Sequence, residues 1–269
     1  MNLREIITDA IKYPISDTRK FLIFCALIIL MSLSTVIPSY GVKNSALTIV
    51  LTLVTLIVLF IVLGYSVEVI KGGTEGENTL PDFDYVKQFV IGIKAMILEI
   101  IYFIIPAIIV LIIASASGLF TSFTKMVYAS IDAIANNATT ASMIMAAIPK
   151  STINTFTNAL TVTLIVAIIL FIIFSLMSFT GLVRFAKSGS GTEGLRFKEI
   201  LKDISKIGLV KLIVTLIVIY VIALAMSVVI GLIGLIPYIG VFIGMFVGLP
   251  FIILFSYRAI GLLYADANN

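Results

Sequence analysis

Residues 46–69 read ALTIVLTLVTLIVLFIVLGYSVEV, and this run decides the class of the protein. Its single charge is Glu68, close to one end. At about 1.5 Å per residue, a helix of this length crosses a hydrocarbon core roughly 30 Å thick. Working outward, five more runs share its character: 21–37, 95–114, 160–182, 209–235 and 239–263. Pro38 stops the first of these, and Pro106 and Pro250 fall inside two others as expected kinks. Such prolines are tolerated where neighbours satisfy the freed carbonyls. The pattern predicts an all-α integral membrane protein with six transmembrane helices in one membrane domain over 1–269.

The composition agrees. Hydrophobic residues make up 61% and charged residues 12% of 269, with a mean hydropathy of +1.21. A soluble domain carries roughly 25% charged residues. Six spans take about 120 residues into the bilayer and leave too little chain for a separate catalytic domain. The absence of His excludes imidazole metal sites and His proton relays. One cysteine, Cys25, can form neither an internal disulfide nor a thiolate cluster. With no Trp, any aromatic belt rests on Tyr. No cofactor is expected. The net charge of +4 reads as basic loops facing anionic lipid rather than as a nucleic-acid surface. Glu5, Asp9 and Asp17 make the first twenty residues unlike a signal peptide, so they are expected to be retained.

Charge also orients the chain. With both termini cytoplasmic, only Lys43, Lys125 and Lys150 of the 18 basic residues fall outside. The positive-inside rule therefore predicts N-in, C-in topology and a plasma-membrane location. Before each odd-numbered span lies a stretch of helical periodicity. Leu3, Ile6, Ile7, Ala10 and Ile11 share one face; Phe83, Val86, Phe89, Val90 and Ile93 share another, with Asp82 as a candidate cap; Phe197, Ile200, Leu201 and Ile204 share a third. Basic residues on the opposite faces suit the headgroup plane, although cytoplasmic extension of the spans is the alternative. Shifted by 118 residues, Gly73-Thr74-Glu75-Gly76 falls on Gly191-Thr192-Glu193-Gly194. The expected arrangement is three same-topology repeats of an amphipathic helix plus a helical hairpin, about 1–70, 77–184 and 195–264.

The long extracytoplasmic loop 115–159 is the exception. Phe120, Phe123, Val127, Ile131 and Ile134 can share a face of a surface-lying helix, and Met143 to Ile148 form a second apolar patch. Asn137-Ala138-Thr139 is a glycosylation sequon.

The order Gly64-Tyr65, Gly72-Gly73, Leu80-Pro81-Asp82-Phe83-Asp84, Gly92, Lys94, Tyr102 and Ile105-Pro106-Ala107 resembles a known pattern. It resembles the multi-pass membrane family catalogued as domain of unknown function 4013, seen mainly in archaea and also in bacteria. The likeness continues through Gly181, Phe197, Gly234, Pro237 and Tyr257. Relatives commonly carry Arg where this chain has Glu68. The resemblance implies an integral membrane protein and no established activity.

Ionisable residues inside spans are functional candidates because burying them costs about 2.5–3.5 kcal/mol on insertion scales. Glu68, Glu99, Arg184 and Arg258 qualify, and with Tyr102 and Tyr220 they form a candidate buried polar cluster. Glu99 is expected to pair with Arg184, Arg258 or Lys211. The cluster serves either as a structural salt bridge or as a proton or substrate site. Gly240, Gly244 and Gly248 make a smooth helix face for intramolecular packing, or alternatively for a homo-oligomer. Gly72-Gly73 and the 189–194 stretch lack the spacing of phosphate loops. No nucleophile–base pair, carboxylate pair or metal spacing is present, so enzyme activity is not expected. Two readings remain: small-molecule or lipid transport and handling, towards which the buried charges lean, and a non-catalytic scaffold that shapes the bilayer or docks partners.

Overall fold

The structure is a computed structural model that describes residues 2–39, 41–42, 44–236 and 239–268. Lys43 and Pro237, named above, lie outside the described residues. Every element is helical, with no strand among the described residues. The order is α1 (Leu3–Lys12), a 3-10 turn (Tyr13–Ile15), α2 (Thr18–Ser39), α3 (Ser45–Glu75), α4 (Tyr85–Ala116), α5 (Leu119–Ala135), α6 (Ala141–Ala147) and α7 (Lys150–Ser188). A second 3-10 turn (Glu193–Leu195) leads to α8 (Phe197–Ile207), α9 (Leu209–Ile233), α10 (Ile239–Ile243), a π turn (Gly244–Gly248) and α11 (Leu249–Asn268). Six helices are long and apolar enough to cross a membrane: α2, α3, α4, α7, α9 and the stretch Phe246–Asp266.

Local chemistry explains the helix starts. Asn2 and Glu5 form a reciprocal capping box on α1, each side chain accepting the other's backbone N–H at 2.9 Å. Asp17 and Asn44 accept backbone N–H groups of Lys20 and Leu47 in the first turns of α2 and α3. Gly208, at φ +86°, turns the chain sharply between α8 and α9, in a region where a side chain would be strained.

Several expectations need correction. α2 continues through Pro38 to Ser39, so the proline sits in the last turn instead of ending the helix. The periodic stretch at 83–93 is no separate surface helix but the continuous start of α4, with Val86 77% exposed. Its cap is Asp84, which accepts from Lys87 N at 3.0 Å, whereas Asp82 pairs elsewhere. The fourth span begins at Lys150, ten residues before its apolar run, and the 115–159 loop is mostly helix. Around Pro250 the helix widens into the π turn just ahead of the ring, which would crowd the carbonyl four residues back. The two GTEG copies also differ: Gly73–Gly76 closes α3 with Gly76 at φ +75°, while 191–194 runs into a 3-10 turn.

The chain divides into two compact units, one of residues 1–99 and 176–269, the other Ile100–Ser175. In the first, α3 packs along α2 and α11 over a core that includes Phe24, Ile28, Val62, Tyr65 and Leu254. α3 and α4 cross at contact distance because two glycines face backbone. A Cβ on Gly64 would stand 1.8 Å from the Gln88 carbonyl oxygen, and one on Gly92 would stand 1.8 Å from that of Phe60. In the second unit, the Phe103 and Phe171 rings meet at 5.5 Å between α4 and α7, and Phe123 of α5 lies 6.3 Å from Phe156.

Candidate functional site

Inside the first unit the chain must bury polar groups where α11 meets α1 and the 77–84 linker. Arg258 is 1% exposed. Its Nε donates to Asp9 Oδ1 at 2.8 Å, Nη1 donates to the Glu77 carbonyl, and Nη2 reaches Asn78 Oδ1 at 3.4 Å. The guanidinium also lies 4.4 Å from the centre of the Tyr13 ring. A buried guanidinium is tolerable only with this many partners. Burial pushes the Tyr13 phenol up to about 12 from 10, against the opposing pull of Arg258.

The linker itself has no ladder to satisfy its carbonyls, and side chains do the work instead. Tyr13 donates to Thr79 O at 3.1 Å, Lys20 to Leu80 O at 2.7 Å, Tyr65 to Pro81 O at 3.1 Å and Gln88 to Asp82 O at 2.9 Å. Together with Arg258 on Glu77, these donors meet five carbonyls of one irregular segment. Phe83 stacks on Tyr65 with ring centres 4.4 Å apart. Asp82, fully exposed, pairs with Lys20 at 2.8 Å, and that bond holds its carboxyl below the usual carboxylate range.

Two further clasps follow the same plan. Glu68 of α3 accepts from Gln88 Nε2 at 2.7 Å and pairs with Lys87 at 2.6 Å, both from the first turn of α4. Arg184 of α7 donates to Asp203 of α8 at 2.6 Å and to Glu193 at 2.8 Å, and the Tyr264 hydroxyl donates to the same Asp203 oxygen at 2.5 Å. In each clasp a charge near the end of a spanning helix holds a neighbouring segment.

The six residues of the expected cluster are therefore divided. Glu68, Arg184 and Arg258 work in separate clasps. Glu99 differs from expectation: it lies at the surface of α4 and accepts from the Ser178 hydroxyl at 2.8 Å, not from a cation. Arg184 and Arg258 are engaged as above, and Lys211 pairs with Asp266. Tyr220 is exposed, edge-on to Phe179 at 6.5 Å. Tyr102 is buried and belongs to the other unit. Gly240 faces the Ile233 carbonyl, while Gly244 and Gly248 face the Ile230 side chain, all inside the chain. Asn137 is exposed in a turn after α5, at φ +68°.

Asp9, Asp203, Tyr13, Lys20 and Gln88 were not singled out as site residues by sequence. Asp9 and Asp203 sit on polar helix faces that read as solvated, and their partners lie 249 and 19 residues away. A signal exists all the same: 3–12 (LREIITDAIK) and 197–206 (FKEILKDISK) carry the same acid at the same place. Chemically, these acids are spent on guanidinium, ammonium and amide donors, so the arrangement holds segments in place.

The sequence profile of the family described as protein of unknown function (DUF4013) matches residues 47–235. No curated protein and no solved structure matches the chain.

Proposed function

This chain belongs to the family of unknown function DUF4013, and we propose that it acts as a non-catalytic membrane scaffold. The observation that carries this reading is the set of three clasps. A transport reading leans on buried charges that otherwise lack a purpose, and the clasps supply one for Glu68, Arg184 and Arg258, leaving Glu99 on the Ser178 hydroxyl. Arg258 holds α1, Glu68 holds the start of α4, and Arg184 holds α8.

The same contacts support three same-topology repeats. Aligning 3–12 with 197–206 superposes Glu5 on Glu199, Ile6 on Ile200, Asp9 on Asp203 and Lys12 on Lys206. Ile6 and Ile200 are both fully buried. Each repeat then grips the first segment of the next, and the third closes on the first. Both termini lie in the cytoplasm, as the distribution of basic residues favours, and the membrane is the plasma membrane. Phe197 and Leu201 stay exposed beside the basic face of α8, which suits a helix seated among anionic headgroups. The partners are lipid and docked proteins rather than nucleic acid, and a homo-oligomer is compatible with this arrangement.

The test is flux and topology in one preparation. In proteoliposomes, ion leak and fluorescent-lipid scrambling should stay at the protein-free rate. Cysteine labelling in a Cys25→Ala background should mark positions 71 and 198 from inside and 150 from outside. A flux abolished by Glu99→Gln would replace the scaffold with the transport reading, whose support is a carboxylate inside an apolar run.

A further inference from the structure

The second unit holds a polar cleft that none of the clasps uses. It measures about 280 Å³ and lies between the start of α5 and the start of α7. Thr121, Ser122 and Lys125 line one side, and Ser151, Thr152 and Thr155 the other. The Ser122 hydroxyl is spent on the Gly118 carbonyl and that of Thr155 on the Ser151 carbonyl. Among the described residues, the hydroxyls of Thr121, Ser151 and Thr152 and the ammonium of Lys125 have no partner inside the chain. No acid lines the cleft, and the one acid in residues 100–175 is Asp132, two helical turns beyond Lys125. A lone cation ringed by free hydroxyl donors is a receptor for an oxyanion, above all a phosphate.

Depth identifies the source of that phosphate. The Phe103–Phe171 contact, taken with the approach of Gly118 to Thr155, gives α4 and α7 an antiparallel register. A Cβ on Gly118 would lie 4.0 Å from Thr155 Cγ2. The cleft therefore opens just where the apolar run of α4 gives out. Ser151 stands one helical turn beyond Thr155, about 6 Å, and the headgroup layer of one leaflet is roughly 5–7 Å deep. Only Ser117 and Gly118 separate α4 from α5, so the first turn of α5 begins at the same level. Phe120, Phe123, Val127, Ile131 and Ile134 form an exposed ridge on it, with spacing that suits an apolar face against acyl chains.

We propose that this cleft binds the headgroup phosphate of a phospholipid, with the α5 ridge seated in the acyl chains of the same leaflet. Under the proposed orientation that leaflet is the extracytoplasmic one, but the site rests neither on the orientation nor on the scaffold reading. Lys125 supplies the charge, Thr121, Ser151 and Thr152 supply hydrogen bonds, and the α5 ridge keeps the cleft at headgroup depth.

Two measurements on the full chain test this. Native mass spectrometry from micelles containing phosphatidylglycerol should show one lipid retained by the wild type. Lys125→Gln should bind it about tenfold more weakly and Lys125→Arg should keep it. Equal retention by wild type and Lys125→Gln overturns the site. Inorganic phosphate bound as tightly as the lipid, and equally dependent on Lys125, would overturn the lipid assignment in favour of a free anion. Because the chain contains no Trp, Phe123→Trp adds a single fluorescent reporter. Brominated acyl chains in proteoliposomes should quench it, and fluorescence that stays unquenched overturns the seated ridge. Neither result depends on whether the protein conducts solutes.

Discussion

Arg258 and Arg184 make the same contact in two different settings. Each stands on a spanning helix and holds an aspartate at the seventh position of a ten-residue amphipathic stretch, Asp9 in one case and Asp203 in the other. At Arg258 the guanidinium itself is dry: it is buried, lies beside the Tyr13 ring, and finds its remaining acceptors in the linker, while the Asp9 side chain stays 34% exposed. Around Arg184 the guanidinium is less deeply buried, although Asp203 is buried and also accepts from Tyr264, and a second carboxylate, Glu193, shares the load while also pairing with the exposed Arg196. A dry pair is costly to break because the remaining charge has nowhere to go. A less buried guanidinium with a second acid, as at Arg184, loses less when one aspartate is removed. One motif thus yields a permanent fastening and an adjustable one.

The difference predicts a graded series, read as thermal unfolding of the purified chain in detergent. Asp9→Asn should cost most, about 3–5 kcal/mol, because it leaves the Arg258 charge without its carboxylate. It should also release α1 to limited proteolysis. If Asp9→Asn unfolds at the wild-type temperature, the dry fastening does not exist. Asp203→Asn should cost less, about 1–3 kcal/mol, since Arg184 keeps Glu193. A loss as large as that of Asp9→Asn would mean that the two settings are energetically alike. Next comes Glu99→Gln at about 1 kcal/mol or less, because the Ser178 hydroxyl can still donate to the amide oxygen and no cation is left unpaired. A drop rivalling the Asp9 variant would place a cation beside Glu99 after all.

The six spans were legible because composition alone marks them: residues 46–69 and their counterparts cannot be solvated in water. The early start of α7 was not legible. Ser151, Thr152, Asn154, Thr155 and Thr157 look like loop to a hydropathy reading, yet they continue a helix that packs against α5 through Phe156. The charges were found but their partners were not. Depth along a helix can be counted from sequence, whereas rotation about its axis decides which neighbour a side chain meets. Glu99 and Arg258 both lie inside apolar runs of the sequence, yet they face different elements. Pairing Asp9 with Arg258 also requires knowing that the two ends of the chain come together. The clamp on 77–84 was hidden for a related reason, because carbonyl acceptors belong to every residue and leave no mark in the sequence.

The smallest expected effect is the finest probe of the dry setting, since it is silent at neutral pH. The Tyr13 phenol has a folded value of about 12 against an ordinary 10, with burial as the larger cause and the Arg258 charge pulling the other way. Its neutral form is therefore favoured by folding. The stability that this supplies is complete below pH 10 and is lost as the pH rises from 10 through about 12, where the native protein must accept a buried phenolate. The difference in phenolate absorbance between wild type and Tyr13→Phe isolates this one ring among ten tyrosines. Expected is no signal at pH 10 while the protein remains folded, then a late rise that coincides with unfolding. Asp9→Asn should shift that rise. Without its carboxylate, Arg258 favours the phenolate more strongly, so the titration moves to lower pH. A Tyr13 that titrates near 10 in both proteins would show that water reaches the ring, and the contrast between the two arginines would then lose its physical basis.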